Sequence, residues 1–307
     1  MNVVSVNISE AKGTLKHPVP AVMVNDSGIV GDAHSGAWHR QVSLLSQESM
    51  ACLSKTAGRT FQPGEFAENI TTTGLDLEQI CLRDRLQIGS VELEVTQIGK
   101  KCHGAGCAIF KEVGTCIMPK QGLFTRVLQG GGIRPGASIV HRPHFLRIRI
   151  ITLSDRASRG DYTDRSGPAI KEALHQHFST GHWRLAVESR LLPDDAVQLR
   201  RELESCITDG IDLVFTTGGT GIGPRDITPE TVRPLLDKEI PGIMEFIRMK
   251  YGQTMPSALL SRAVAGVMGP ALVYTLPGSV KAVGEYMAEI AATLDHSLLM
   301  RWGIDAH

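Results

Sequence analysis

Residues Val214–Glu230 read V-F-T-T-G-G-T-G-I-G-P-R-D-I-T-P-E. The apolar run Ile211 to Phe215 reads as a buried strand. It empties into Thr216, Thr217 and the glycines Gly218, Gly219, Gly221 and Gly223, followed by Pro224, Arg225 and Asp226. A helix is expected to start at Thr228-Pro229-Glu230, with Thr228 as N-cap and Pro229 at the first helical position, where a missing N–H costs nothing. Glycines let a loop turn sharply and bring backbone N–H groups close to a bound phosphate. Arg225 suits phosphate oxygens, and Asp226 suits a metal or a hydroxyl. The stretch reads as an anion cradle at the carboxyl end of a strand, where open α/β sheets bind ligands. The plainer alternative is a tight turn with no ligand. There is no G-x-x-x-x-G-K-[ST] and no G-x-G-x-x-G, so neither a P-loop nor a dinucleotide fingerprint is present.

Around this stretch strands and helices alternate. Strands are expected at Leu146–Leu153, Trp183–Leu192, Ile211–Thr216 and Ala271–Leu276. Helices are expected at Ser166–Phe178, Asp195–Ile207, Pro229–Leu236, Gly242–Tyr251, Ser257–Val267 and Ser279–Leu299. Such alternation predicts a three-layer α/β domain, a mostly parallel sheet covered by helices on both faces. Polar residues fall at the strand ends: Ser154-Asp155 after the first strand, Pro193-Asp194-Asp195 after the second, the glycine loop after the third, Pro277-Gly278-Ser279 after the last. In a parallel sheet these ends share one edge, so sequence-distant polar groups converge. Singly, Asp194, Asp226 and Ser279 read equally well as caps of their own helix or turn; capping at every strand end is a poorer account.

Length and composition bound the rest. A chain of 307 residues is long for one domain, and composition shifts near His141-Arg142-Pro143-His144. Domains are therefore expected at residues 1–144 and 145–307. The 42% hydrophobic content is that of a globular protein with sizeable cores, and no apolar run is long enough to span a membrane. A formal net charge of zero argues against nucleic acid as a partner. The N-terminus Met1-Asn2-Val3-Val4-Ser5 lacks a signal-peptide pattern, so a cytoplasmic location is expected. Five of the six cysteines, Cys52, Cys81, Cys102, Cys107 and Cys116, lie in the first half and are expected as thiols. That half reads as short strands (Val3–Ile8, Gln87–Ile98, Ile139–His141) with one helix near Ser46–Ala57, which suggests a barrel or sandwich.

Four polar clusters mark the first half: Gly31-Asp32-Ala33-His34 with His39-Arg40-Gln41, Pro63–Ile70, Lys100–Ile109 and Cys116–Leu128. Together they resemble the MOSC family. The resemblance implies a mostly β, barrel-like fold that handles molybdenum cofactor or its sulfur, with Cys102 and then Cys116 as candidate sulfur carriers. Lys100, Lys101 and His103 beside Cys102 would lower a thiol pKa, although a buried structural cysteine or a zinc ligand also fits the residue. His34, His39, Arg40 and Arg126 suit a pterin phosphate.

In the second half the ordered set S-D-R-A-S, D-R-S-G-P, L-L-P-D-D, T-T-G-G-T-G-I-G-P-R-D-I-T-P-E, P-S-A-L-L-S-R and L-P-G-S resembles the molybdopterin adenylyltransferase family, which includes the gephyrin G domain. That implies transfer of AMP from ATP to molybdopterin with release of pyrophosphate. The resemblance makes Asp194 and Asp226 the catalytic carboxylates and Mg²⁺ ligands. It places Thr217, Gly218, Gly219, Thr220 and Gly221 under nucleotide phosphates, Ser154, Asp155, Ser261 and Arg262 near the pterin or its phosphate, and Pro277, Gly278 and Ser279 at the nucleotide pocket. Other assembly proteins such as a molybdenum insertase, and a homotrimer, are the implied partners. The alternative function is a binding protein that stores or delivers molybdopterin or its cofactor without chemistry.

Overall fold

The structure, a computed structural model, describes residues 1–101 and 116–304. The chain divides into two compact units, one built on Met1–His144 and the other on Phe145–Trp302.

The first unit is mostly β. Its strands among the described residues are β1 (Asn2–Ile8), β2 (His17–Val19), β3 (Val22–Asn25), β4 (Gly28–Ile29), β5 (Val42–Ser46), β6 (Ile70–Thr73), β7 (Arg85–Ile88), β8 (Val91–Ile98), β9 (Leu123–Gln129), β10 (Gly131–Ile133) and β11 (Ile139–Arg142). Eight form a sheet in the order β11-β7-β8-β9-β5-β6-β1-β2, and β10, β3 and β4 form another. Only β5 and β6 pair in parallel. An isolated bridge joins Asn2 to Ser138, and the Ile139 amide donates to the Met1 carbonyl at 2.9 Å.

The expected strand Gln87–Ile98 is instead a hairpin, β7 and β8 joined at Gly89-Ser90. Along β8, Val91, Leu93 and Val95 are fully buried, as their alternation requires. Glu94, on the alternate positions, is buried as well, because Arg83 and Arg126 both pair with it. Helix α1 (Gln47–Ala57) starts where its cap predicts, the Ser46 hydroxyl accepting from the Ser49 amide at 3.1 Å. A single turn, α2 (Met118–Gln121), precedes β9.

The second unit is a layered α/β structure. Its strands are β12 (Leu146–Leu153), β13 (Leu185–Leu192), β14 (Leu213–Thr217), β15 (Lys238–Glu239), β16 (Ala265–Met268) and β17 (Ala271–Leu276), in the order β13-β12-β14-β17-β16-β15. The first four are mutually parallel, and β16 and β15 add an antiparallel edge. The helices are α3 (Asp155–Ser158), α4 (Ser166–Phe178), α5 (Ala196–Thr208), α6 (Thr228–Val232), α7 (Pro241–Gly252) and α8 (Val280–Arg301).

Strand alternation divides the core in two. Leu213 and Phe215 of β14, with Leu272, Tyr274 and Leu276 of β17, face α4, α7 and α8. Val214, with Ala271 and Val273, faces α5 and Val232. The Phe215 and Tyr274 rings stack at 5.3 Å between centroids, worth about 1 kcal/mol beyond their buried area.

Three boundaries differ from expectation. Trp183 packs edge-on against Phe178 rather than opening β13, which begins at Leu185. The helix expected over Ser257–Val267 is a 3₁₀ turn, Pro256–Leu260, followed by β16, whose residues pair with β17; sheet pairing overrides local helical preference there. Thr228 is the first residue of α6 and not its cap. Its hydroxyl donates instead to the Gly218 carbonyl at 2.8 Å, which ties the helix to the glycine loop.

Candidate functional site

Because β13, β12, β14 and β17 are adjacent and parallel, their carboxyl ends open on one edge. After β12, Ser154 caps α3 by accepting from the Ala157 amide at 3.1 Å. After β13, it is Asp195 that caps α5, accepting from the Val197 and Gln198 amides at 2.9 Å. Asp194 is thereby left to other uses. After β17, Ser279 caps α8 through the Ala282 amide at 3.2 Å.

The loop after β14 is held under tight constraint. Gly218 (φ 102°) and Gly219 (φ 64°) take left-handed backbone conformations. A methyl group at Gly218 would lie 2.3 Å from the Leu153 carbonyl oxygen, so the loop passes directly against the end of β12. Thr217 lies buried beneath the loop and donates to the Pro277 carbonyl at 2.9 Å. Arg262 braces it from outside: Nε donates to the Gly221 carbonyl at 2.6 Å, Nη2 to the Asp226 carbonyl at 3.0 Å, and Nη1 pairs with Glu230. The amides of Gly219, Thr220 and Gly221 donate to no described residue. Three successive unpaired N–H groups in such a loop make an anion-binding concavity.

Two carboxylates frame it. Asp155 and Asp194 exchange hydrogen bonds, each amide donating to the other's carboxylate at 3.0 Å. The second Asp155 oxygen takes Arg225 Nε at 3.0 Å and Nη2 at 2.6 Å. The Arg225 guanidinium, with the Asp194 amide, holds the Asp155 carboxyl below its ordinary pKa. Asp155 is thus a latch between three strand-end loops, both of its carboxylate oxygens engaged. Asp194 keeps Oδ1 without a partner among the described residues. Asp226 likewise gives Oδ2 to the Gly223 amide at 2.7 Å and keeps Oδ1.

Ser154, Asp194, Gly218–Gly221, Asp226, Ser261 and Pro277–Ser279 all line one cavity of about 550 Å³. Asp155, Thr217 and Arg262 are not part of its lining. The cavity also takes in residues the motifs do not mark, chiefly Ile247, Tyr251, Met255, Leu260 and Tyr286. Tyr286 sits at helical spacing with the buried Val283 and Ile290, so its pattern reads as core; the hydroxyl is the only signal that distinguishes it. Among the described residues no group of three or more His, Cys, Asp or Glu is arranged to hold a metal ion. Two carboxylates with one spare oxygen each, beside a phosphate cradle, nevertheless suit Mg²⁺, which takes few protein ligands and fills its shell from phosphate and water.

The first unit has a smaller cavity of about 250 Å³, whose lining includes His34, Trp38, Arg40, Asn69 and Lys100. Behind His34 the buried Lys16 pairs with Asp32 and lies 3.4 Å from His34 Nδ1. His39 and Arg126 are not in this lining: His39 is buried, with its carbonyl accepting from Thr96, and Arg126 pairs with Glu94. Cys116 is half-buried beside the cluster of Met50, Phe66 and Met118. Cys102 lies outside the described residues. Among those residues no helix is long and apolar enough to cross a membrane.

The sequence profile of a family described as "Probable molybdopterin binding domain" matches residues 149–296, and that of the MOSC domain matches residues 31–140. The chain is 35% identical to the molybdopterin adenylyltransferase of Pyrococcus furiosus over 51% of its own length and 91% of that protein's. It is 34% identical to a molybdenum cofactor biosynthesis bifunctional protein of Chlorobaculum tepidum over 52% of its own length, and spans half the length (50%) of that relative. Among solved structures, the molybdopterin biosynthesis enzyme MoaB from Thermus thermophilus is 38% identical, with a TM-score of 0.47, over 52% of this chain and 98% of that one.

Proposed function

We propose a function on one premise: the chain belongs to the molybdopterin adenylyltransferase family, with a MOSC domain ahead of the transferase-like unit. Its role is in molybdenum cofactor biosynthesis. The reaction is attack by the terminal phosphate oxygen of molybdopterin on the α-phosphorus of ATP. A new P–O bond forms to give adenylyl-molybdopterin, and the α–β bridge breaks to release pyrophosphate.

The observation that carries this reading is the run of unpaired amides at Gly219, Thr220 and Gly221, residues that line one cavity together with Asp194 and Asp226. Nucleotidyl transfer asks a protein for alignment and charge neutralisation rather than covalent help. The amides bind phosphate oxygens and fix their orientation. Asp194 and Asp226 would hold Mg²⁺ through their spare oxygens; the ion's contribution when bound is to offset charge on the departing pyrophosphate. Asp155 keeps Asp194 and Arg225 in register, and Arg262 keeps the loop from opening.

The test is pyrophosphate release from Mg–ATP by the full chain. Release that requires molybdopterin supports the transferase; tight molybdopterin binding with no release supports the storage and delivery reading instead.

For the first unit the proposal is handling of molybdenum cofactor or its sulfur, with Cys102 as first carrier and Cys116 second. Its sheet is read as barrel-like, which the bonds from Met1 and Asn2 to Ser138 and Ile139 support. Mass mapping after incubation with a sulfur donor is expected to find a persulfide on Cys102; a persulfide on neither cysteine contradicts the carrier role. By resemblance the chain is also proposed to form trimers and to pass its product to a molybdenum insertase; a monomer mass in sedimentation would contradict the first.

A further inference from the structure

Part of the cavity wall is apolar, formed by Ile247, Tyr251, Met255, Leu260 and Tyr286. Ser261 follows Leu260 on that wall, and its hydroxyl is met by Tyr286 from α8. Tyr286 is 3% exposed, and its Oη lies 2.8 Å from Ser261 Oγ. Burial holds the phenol above its ordinary pKa, so it stays protonated at neutral pH. Among the described residues that proton has one acceptor, Ser261 Oγ. The Ala263 amide faces the same oxygen at 3.4 Å.

A serine hydroxyl carries two lone pairs and one proton. With Tyr286 O–H and Ala263 N–H directed at the lone pairs, only the Ser261 proton is uncommitted. No described residue accepts it. The hydroxyl is therefore left with only a proton to offer, on a residue that lines the cavity.

We propose that Tyr286 is a positioning residue that fixes Ser261 as a one-way hydrogen-bond donor, so that this part of the cavity selects a flat ring presenting an acceptor atom and disfavours one presenting N–H or O–H. The inference rests on the transferase reading for the identity of the two substrates, each of which carries a heteroaromatic ring with acceptor edges. The unpaired donor supplies direction, and the apolar wall supplies the surface on which a ring lies.

The experiment compares the full chain with Tyr286→Phe and Ser261→Ala. Phenylalanine keeps the ring and its packing but frees Ser261 to rotate. In Tyr286→Phe the KM of one substrate, molybdopterin or ATP, is expected to rise about tenfold, the worth of roughly one misdirected hydrogen bond. Ser261→Ala should raise the same KM at least as much. The other KM and the melting temperature should hold, and the substrate whose KM moves is the one whose ring lies at Ser261. Equal KM values in wild type and Tyr286→Phe overturn the proposal, as does a common rise of both with a lowered melting temperature. Calorimetric titration with molybdopterin and with ATP separates this inference from the reaction itself. Selectively weaker binding to Tyr286→Phe in a protein that transfers no AMP upholds the positioning role and sinks only the reaction. Unweakened binding of both sinks the positioning role.

Discussion

Gly218 shows what one residue does for the site. The chain leaving β14 must turn at once to run under Leu153, and only a residue free of Cβ fits at φ 102° with a carbonyl oxygen 2.3 Å from where that carbon would be. Gly218→Ala is expected to destabilise the protein by about 3 kcal/mol, from strained backbone and forced loop displacement. Gly284→Ala is the control: its added carbon meets nothing within 4 Å inside α8, so a gain of about 0.5–1 kcal/mol is expected. Urea unfolding of the two variants checks both signs; similar midpoints would mean the loop is not held as described. At this scale the tight turn was legible, because glycine alone takes positive φ without strain, as Gly218 and Gly219 do. Tyr286 was not, since a tyrosine in an apolar helical stripe has the same pattern whether or not its hydroxyl matters. Nor could the carboxylates be told apart, since Asp194 and Asp195 are chain neighbours and only folding decides which one caps α5.

At the scale of elements, parallel pairing of four strands gathers the loops, and the Asp155 latch ties three of them together. Period-2 alternation in Leu146–Ile150 and the apolar run before the glycines were enough to place β12 and β14, and caps placed α1 and α8. The hairpin at Gly89-Ser90 and the 3₁₀ turn before β16 were not legible, because both are decided by partners distant in the chain. The latch predicts a pH dependence. The folded-state pKa of Asp155 lies below its ordinary 3.8 because Arg225 favours the charged form. Its contribution is therefore fully present above that ordinary value and is lost as pH falls through the folded one. The melting temperature of Asp155→Asn should fall short of wild type at neutral pH, and the gap should close below about pH 3.8. A gap that stays constant down to acid pH would show that Asp155 does not act through its charge on Arg225.

For the molecule as a whole, two compact units carry two kinds of sheet, one mostly antiparallel and one mostly parallel. The α/β character of the second was legible from alternation alone, and its family from motifs that turn out to sit at neighbouring strand ends. The first unit was harder to read, since short strands do not disclose their pairing order; all four of its polar clusters send residues to one cavity, His34 and Arg40 with Asn69, Lys100 and Met118, while Arg126 serves Glu94. The central claim is that Asp194, freed from capping by Asp195, lends its spare oxygen to nucleotidyl transfer. Asp194→Asn keeps an oxygen for the Asp155 amide and removes only the charge, so the fold should hold while turnover drops by about a hundredfold or more, the usual loss for one electrostatic group at a reacting phosphate. The most direct measurement is mass analysis of the pterin after incubating Mg–ATP and molybdopterin with wild type and with Asp194→Asn. The predicted result is molybdopterin heavier by one adenylyl group with wild type and unmodified with the variant; unmodified pterin from wild type, or equal conversion by both, would contradict the account.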